Sequence, residues 1–308
     1  MDEKLLVDHF NKRLQQNVVL ARLTTSRVGG PARYFITVHS ADQLAADVQF
    51  FWDADIPFLL LGMGANVLIS DAGLDLVVVH NLARDITVEP SSSTPSISAE
   101  SGALFASVAR QAAAHSLSGL EWASTVPGTV GGALYGNAGA FGTSTQNVLK
   151  LANILHRNKG YQSLTSVQMG FAYRSSFLKN NPGETVILSA SFSLEHGDSE
   201  KIKSLMQQYS NQRRGSQPQG ASTGSTFKNP SGDFAGRLIE AAGLKGTRIG
   251  GVQVSPVHAN FFINDGTATA RNYYDLIQLV RNAVSQKFGV LLETEIELIG
   301  DWQTNHDG

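Results

Sequence analysis

Val126-Pro127-Gly128-Thr129-Val130-Gly131-Gly132 is followed three residues later by Gly136-Asn137-Ala138-Gly139-Ala140-Phe141-Gly142, and Gly119-Leu120-Glu121-Trp122 precedes both. The reading of these residues decides the fold. Glycine recurs here at short intervals among small apolar residues, whereas a solvated flexible linker would carry Ser, Lys or Glu. Small and apolar together mean backbone packed closely against something flat or tightly curved. A buried crossing between subdomains would do this. So would a cradle whose backbone N–H groups face an anionic cofactor. The second reading is preferred, because no helical periodicity nearby requires these glycines.

Outward from this segment the chain alternates strands and helices. Towards the N-terminus, Leu5, Leu6, His9, Phe10 and Leu14 give helical spacing over about 2–16. A strand is expected at 32–38. Ser40-Ala41-Asp42-Gln43 reads as a helix start ahead of 44–52, and Ile56–Gly62 as a short buried strand running into a turn. Gly62-Met63-Gly64-Ala65-Asn66-Val67 then offers two glycines at i and i+2. This is either a plain tight turn or a nest for phosphate, and it lacks the third glycine of a dinucleotide fingerprint. Towards the C-terminus, strands are expected at 97–102, 148–156, 167–170, 186–194 and 290–299. Helices are expected at 105–115, 200–214, 233–242 and 267–288, the last two closed by Gly243 and Gly289. Gly215–Gly220 reads as a linker. The class is α+β.

Three polar stretches concentrate reactive side chains. Phe171-Ala172-Tyr173-Arg174-Ser175-Ser176-Phe177 sets an arginine among aromatic and apolar neighbours, where it requires an anionic partner, in an ion pair or in a ligand. Gly224-Ser225-Thr226-Phe227-Lys228-Asn229-Pro230 gathers a hydroxyl, a cation and an amide. It reads as a proton-moving substrate loop or as an ordinary loop ahead of a helix cap at Ser231 or Asp233. In the closing strand, Glu293, Glu295 and Glu297 share one face, which is either a solvated surface or the location of one special carboxylate.

Composition removes several function classes. With 24 Lys+Arg against 26 Asp+Glu the formal charge is −2, so nothing attracts a nucleic-acid backbone in bulk. The absence of cysteine removes disulfide frameworks, thiolate metal sites and cysteine nucleophiles. The eight histidines are scattered without metal-ligand spacing, and no P-loop is present. The N-terminus lacks the basic start and apolar run of a signal peptide, and no apolar run is long enough to span a bilayer. A cytoplasmic protein with no nucleic-acid or membrane partner is expected.

The motifs occur in one order. Gly62–Asn66, Pro127–Gly132 with Asn137–Ala140, and Tyr173–Ser176 come first. Gly224–Pro230, Ala235–Glu240, Ala242–Gly246, His258–Phe261 and Phe288–Glu295 follow. Together they resemble the UDP-N-acetylenolpyruvoylglucosamine reductase family, over nearly the whole chain from Leu23 to Gly300. The resemblance implies an FAD-binding domain of the vanillyl-alcohol-oxidase (PCMH) type in two α+β subdomains (1–85 and 86–196). A C-terminal α+β substrate-binding domain (197–308) completes the chain. It also implies non-covalent FAD, NADPH as reductant and UDP-N-acetylglucosamine enolpyruvate as substrate. Arg174, Ser225 and Glu295 take the catalytic positions. Gly62, Gly64, Ala65, Asn66, Val67, Pro127, Gly128, Thr129, Gly131, Gly132, Asn137, Gly139 and Ala140 take the flavin-contacting ones, with Arg213 and Arg237 as further flavin or phosphate contacts. Tyr173, Lys228, Asn229 and His258 line the substrate. The stretch from Lys179 to Gln212 is too short for the tyrosine loop of one branch, so the chain resembles the other branch, as a monomer or weak dimer. The alternative on the same scaffold is another non-covalent FAD oxidoreductase. A covalent flavin oxidase is disfavoured because no Cys or His lies in the cradle.

Overall fold

A computed structural model describes residues 3–91 and 93–302. The chain divides into two compact units. One holds Ile36–Met63 and Val78–Arg213; the other holds Lys4–Phe35, Gly64–Val77 and the chain from Arg214 onward. The strands Pro31–Val38 and Leu74–Asn81 and the helix Ser199–Ser216 each contain a point where the chain passes from one unit to the other.

The first unit is built on a five-stranded antiparallel sheet in the order Gly160–Leu164, Leu149–His156, Thr185–Ser193, Ser96–Glu100, Ile86–Glu89. The helix Phe105–Ala114 buries Phe105, Val108, Ala109 and Ala112, at helical spacing. The Phe105 ring lies 5.5 Å from those of both Trp122 and Phe192. Each aromatic buried in this way contributes about 1.5–3 kcal/mol. The expected helix start at Ser40 is real: its hydroxyl accepts the Gln43 N–H at 3.1 Å and opens the helix Ala41–Asp53. Glu100 joins that helix to the sheet, accepting the N–H of Ala41 at 2.7 Å and of Asp85 at 3.1 Å.

One expected strand fails here. Residues 167–170 form a turn closed by Met169 N–H to Thr165 O at 3.0 Å, with Gly170 at φ 54°. The fifth strand is Gly160–Leu164, which pairs with Leu149–His156 as a hairpin. Its residues Gly, Tyr, Gln, Ser and Leu carry little apolar pattern, so the sequence did not mark it.

In the second unit the first helix is shorter than its apolar spacing predicts. It runs Glu3–Phe10 and stops where Asn11 turns left-handed at φ 48°. Leu14 therefore leaves the helix, and Gln15–Val19 forms a strand antiparallel to Pro31–Val38. Beyond residue 214, three short strands (Arg248–Ile249, Val252–Val254, Phe262–Asn264) pack with the helices Ala235–Ala241 and Ala270–Phe288. The longer helix buries Tyr273, Leu276, Ile277, Val280 and Val284, and ends as expected on a left-handed Gly289 at φ 68°. Its start is fixed by a Thr269–Asn272 capping box and by Asp71. The Asp71 carboxylate accepts the N–H of Ala270 at 2.9 Å and of Arg271 at 2.8 Å, placing negative charge at the positive end of the helix dipole.

The closing strand is also shorter than expected. Only Glu297–Ile299 is a regular strand, parallel to Val67–Ile69. The residues before it pair elsewhere, with the strip around Phe227. A segment that changes partner midway cannot be one continuous strand.

Candidate active-site residues

Ser225 opens an extended strip that runs between two neighbours. On one side, Ser225 bridges Phe261, and Thr226 N–H donates to Asn260 O at 2.8 Å. On the other, Phe227 bridges Thr294, Glu295 N–H donates to Thr226 O at 2.9 Å, and Lys228 N–H donates to Glu293 O at 2.9 Å. Asn260 locks the strip at its centre: its Oδ1 accepts Phe227 N–H at 2.9 Å and its Nδ2 donates to Phe227 O at 2.8 Å. Asn260 is 3% exposed, so both ends of its amide are committed where an unmet polar group would be costly. Of the predicted residues, Ser225 and Glu295 are thus brought onto neighbouring segments of one unit. Gly224, in the left-handed region at φ 75°, turns the chain into the strip.

The three glutamates part company. Glu293 is exposed and ion-paired with Lys228 at 3.2 Å. Glu297 belongs to the terminal strand, its N–H bonded to Asn66 O at 2.9 Å. Asn66 also donates its side-chain N–H to Glu295 O at 3.1 Å, so it fixes the backbone of Glu295. Gly64 must be glycine: it sits at φ 64°, and an added Cβ would lie 2.2 Å from Leu23 O.

Asn229 does the capping that Ser231 or Asp233 was expected to do. Its Oδ1 accepts the N–H of Ala235, the first residue of the helix, at 3.1 Å. Asp233 instead accepts Phe234 N–H at 2.7 Å and Arg237 Nε–H at 2.6 Å. These bonds, the Arg237 bond first, hold the Asp233 carboxyl down at about 2. His258 is half-buried, and loss of solvent, followed by the charge of Lys245, pushes its pKa below the ordinary value. Its Nδ1 accepts Asn260 N–H at 3.2 Å, so in the neutral ring the proton sits on Nε2.

Arg174 lies in the other unit, at the tip of a two-residue hairpin. Ala172 and Ser175 exchange backbone bonds of 3.1 and 3.2 Å around Tyr173 and Arg174. Arg174 holds φ 55°, a conformation a non-glycine residue seldom adopts. Its Nη1 donates to Gly139 O at 3.4 Å, and its guanidinium lies 5.5 Å from the centre of the exposed Tyr173 ring. Asn137 is 6% exposed, and its amide is bonded to Gln146 and to Ala172 O.

Residues 217–299 match the family model described as UDP-N-acetylenolpyruvoylglucosamine reductase, C-terminal domain, and residues 32–158 match that of an FAD binding domain. The UDP-N-acetylenolpyruvoylglucosamine reductase of Rubrobacter xylanophilus is 41% identical over 283 residues, 92% of this chain and 94% of that protein. The chain belongs to this family. The enzyme of the same name from Caldanaerobacter subterraneus is 39% identical, over 97% of this chain and 99% of its own. The crystal structure of the Thermus caldophilus family member superposes with a TM-score of 0.79 at 30% identity, covering 93% of this chain and 98% of that one. As a UDP-N-acetylenolpyruvoylglucosamine reductase family member, the chain is an α+β flavin-dependent oxidoreductase with an FAD-binding domain of the vanillyl-alcohol-oxidase type.

In this reductase-family chain the cradle glycines separate into two sorts. Gly62 and Gly139 are demanded by the protein itself, since an added Cβ would meet Thr129 Oγ1 at 2.6 Å and Thr143 O at 2.7 Å, and at Gly131 it would lie close to Ser101 Cβ at 3.1 Å. The N–H groups of Val130 and Gly131 are likewise taken by Ala103 O at 2.9 Å and Ser101 O at 2.8 Å. Gly132 differs: it is exposed, helical, and an added Cβ would meet only Thr129 Oγ1, at 3.7 Å. At Gly128, with φ +123°, an added Cβ would meet nothing within 4 Å. Nothing in the protein's own packing requires glycine at 132, and exposed backbone bare of side chains fits a flat cofactor laid against it. Pro127 is exposed beside it, and Ala65 in its turn, Val67 at the start of its strand and Ala140 are partly exposed. Arg213 is partly buried, with its pKa lowered by loss of solvent, whereas Arg237 is exposed and paired with Asp233.

The described residues hold no cluster of His, Asp or Glu able to bind a metal, and no described helix is long and apolar enough to cross a membrane. The sequence displays the Asn260 motif but not its role, and gives no sign of the parts played by Asp71 and Gln146. Their contacts lie far away along the chain or in loops without pattern.

Proposed function

We propose that this chain reduces UDP-N-acetylglucosamine enolpyruvate to UDP-N-acetylmuramate at the expense of NADPH, in peptidoglycan precursor synthesis. Family membership along nearly the whole chain carries this reading. When bound, the flavin supplies hydride transfer, from NADPH and then to the terminal alkene carbon of the substrate. The chain supplies position, charge and one proton. Arg174 stabilises the negative charge that develops beside the substrate carboxylate, and Glu295 assists it by hydrogen bonding. Ser225 Oγ gives its proton to the carbon bearing that carboxylate. Tyr173, Lys228, Asn229 and His258 hold the substrate.

The flavin is held by Gly62–Val67, by Pro127–Gly132 and by the backbone around Asn137–Ala140. Gly132 and Gly128 offer the open surface, and Arg213 and Arg237 contribute charge. The reading includes the division 1–85, 86–196 and 197–308, a cytoplasmic location, and a monomer or weak dimer of the branch without the tyrosine loop. Anaerobic addition of NADPH and then substrate to the flavin-loaded protein tests it. Reoxidation by UDP-N-acetylglucosamine enolpyruvate is expected, and failure of that substrate would point to another flavin oxidoreductase of the same fold.

A further inference from the structure

We infer that Asn137 is a positioning residue for Arg174, acting through the hairpin that carries it, rather than a side-chain ligand of the flavin. The inference rests on the role proposed above for Arg174. Three observations support it. First, the Asn137 side chain is committed to the protein. Its Nδ2 donates to Gln146 Oε1 at 3.3 Å and to Ala172 O at 3.1 Å, and its Oδ1 accepts Gln146 N–H at 3.1 Å. An amide has two N–H donors, so both are in use, and none is left to reach a cofactor.

Second, Asn137 joins the two pieces of chain that fix Arg174. Ala172, whose carbonyl it holds, is the base of the hairpin around Tyr173 and Arg174. Gly139, two residues after Asn137, provides the carbonyl to which Arg174 Nη1 donates. One side chain therefore sets the distance between the hairpin and the acceptor of its guanidinium. Ser176 secures the far end of the hairpin by donating to Tyr135 O at 2.8 Å.

Third, left-handed backbone is concentrated here. Asn137 at φ 44°, Phe141 at φ 53° and Arg174 at φ 55° are all non-glycine residues. Glycine would suit the second central position of the Arg174 turn better. Such conformations persist only where the surroundings over-determine them, and they gather where geometry matters to function.

The test compares Asn137→Gly, Arg174→Ala and the double variant. Glycine at 137 keeps the left-handed backbone and removes only the amide. Asn137→Asp serves as a second variant, keeping the acceptor for Gln146 N–H and losing both donors. For each, FAD affinity, melting temperature, NADPH-driven reduction and reoxidation by UDP-N-acetylglucosamine enolpyruvate are measured. Asn137→Gly is expected to slow reoxidation about 10²-fold, the scale of a misplacement of about 1 Å. The loss should fall in kcat and not KM, and should far exceed any change in FAD affinity or in NADPH reduction. In the Arg174→Ala background it should add nothing further. An equal loss from Asn137→Gly with and without Arg174 would overturn the inference while leaving the role of Arg174 intact. A loss of FAD affinity with no change in reoxidation would overturn it in favour of cofactor binding. If Arg174→Ala itself left reoxidation unchanged, the reading of Arg174 would fall, and the inference with it.

Discussion

The N–H of Glu295 donates to the carbonyl oxygen of Thr226 at 2.9 Å, so Glu295 lies directly across from the residue that follows Ser225. The hydroxyl and the carboxylate come from opposite ends of the C-terminal region, 70 positions apart in sequence by their numbers 225 and 295. Backbone bridges on both sides and the Asn260 amide hold the strip that carries Ser225. Rigid elements of this kind place reacting groups more precisely than a free loop would.

From this placement, Ser225→Ala should leave NADPH-dependent flavin reduction intact. Reduction of the enolpyruvyl substrate should slow by ~10²–10⁴, the range one positioned acid supplies. Stopped-flow measurement of the two half-reactions separates these outcomes. An equal fall in both would remove Ser225 from the proton-donor role.

Glu295→Gln should impair the second half-reaction far more than Glu293→Gln or Glu297→Gln. Glu293 spends its charge on an exposed pair with Lys228, and such pairs contribute roughly 0–1 kcal/mol. Glu297 is tied to the terminal strand through its backbone. Comparable turnover losses in all three variants would return that edge to an ordinary solvated surface.

Gly132→Ala separates folding from cofactor binding. Alanine in a helix is favoured over glycine by roughly 0.5–1 kcal/mol, and at 132 the added methyl has room within the protein. The apoprotein should therefore melt no lower than wild type, while its FAD affinity should fall. Gly139→Ala, whose added methyl would lie 2.7 Å from the backbone oxygen of Thr143, should destabilise the apoprotein instead. Unaltered FAD affinity in Gly132→Ala would take that residue out of the cradle.

The Asp233–Arg237 pair gives a pH signature. The Asp233 pKa is depressed to about 2 from an ordinary value of 3.8. A depressed carboxyl stabilises the fold fully above its unfolded pKa, and that contribution is lost as pH falls through the folded one. The window is therefore from about 3.8 down to about 2. In Arg237→Gln the Asp233 titration, followed by NMR, should move back up towards 3.8. An unmoved titration would mean that Phe234 N–H, and not Arg237, sets it.

How much was legible in the sequence varied with the range of the interaction. Ser40 as a helix cap and Gly289 as a helix stop are local chemistry, and both are found where the residues predict them. Periodicity alone misled at the N-terminus, because Leu14 keeps the helical spacing while Asn11 has already broken the backbone. It misled again over 290–299, where alternation is genuine but the hydrogen-bonding partner changes from the Phe227 strip to Val67–Ile69. The helix cap from Asn229 and the carboxylate of Asp71 at Ala270 reach across sequence gaps that no local pattern encodes. As sequence alone, the glycine segment reads as one cradle. The structure divides it into residues required by protein contacts, such as Gly139, and residues left open, such as Gly132.

The most direct test is an absorbance titration of the purified, FAD-loaded protein without oxygen. NADPH should bleach the flavin bands, and UDP-N-acetylglucosamine enolpyruvate alone should restore them, with UDP-N-acetylmuramate as product. Flavin that bleaches but is not restored by this substrate would contradict the assigned reaction.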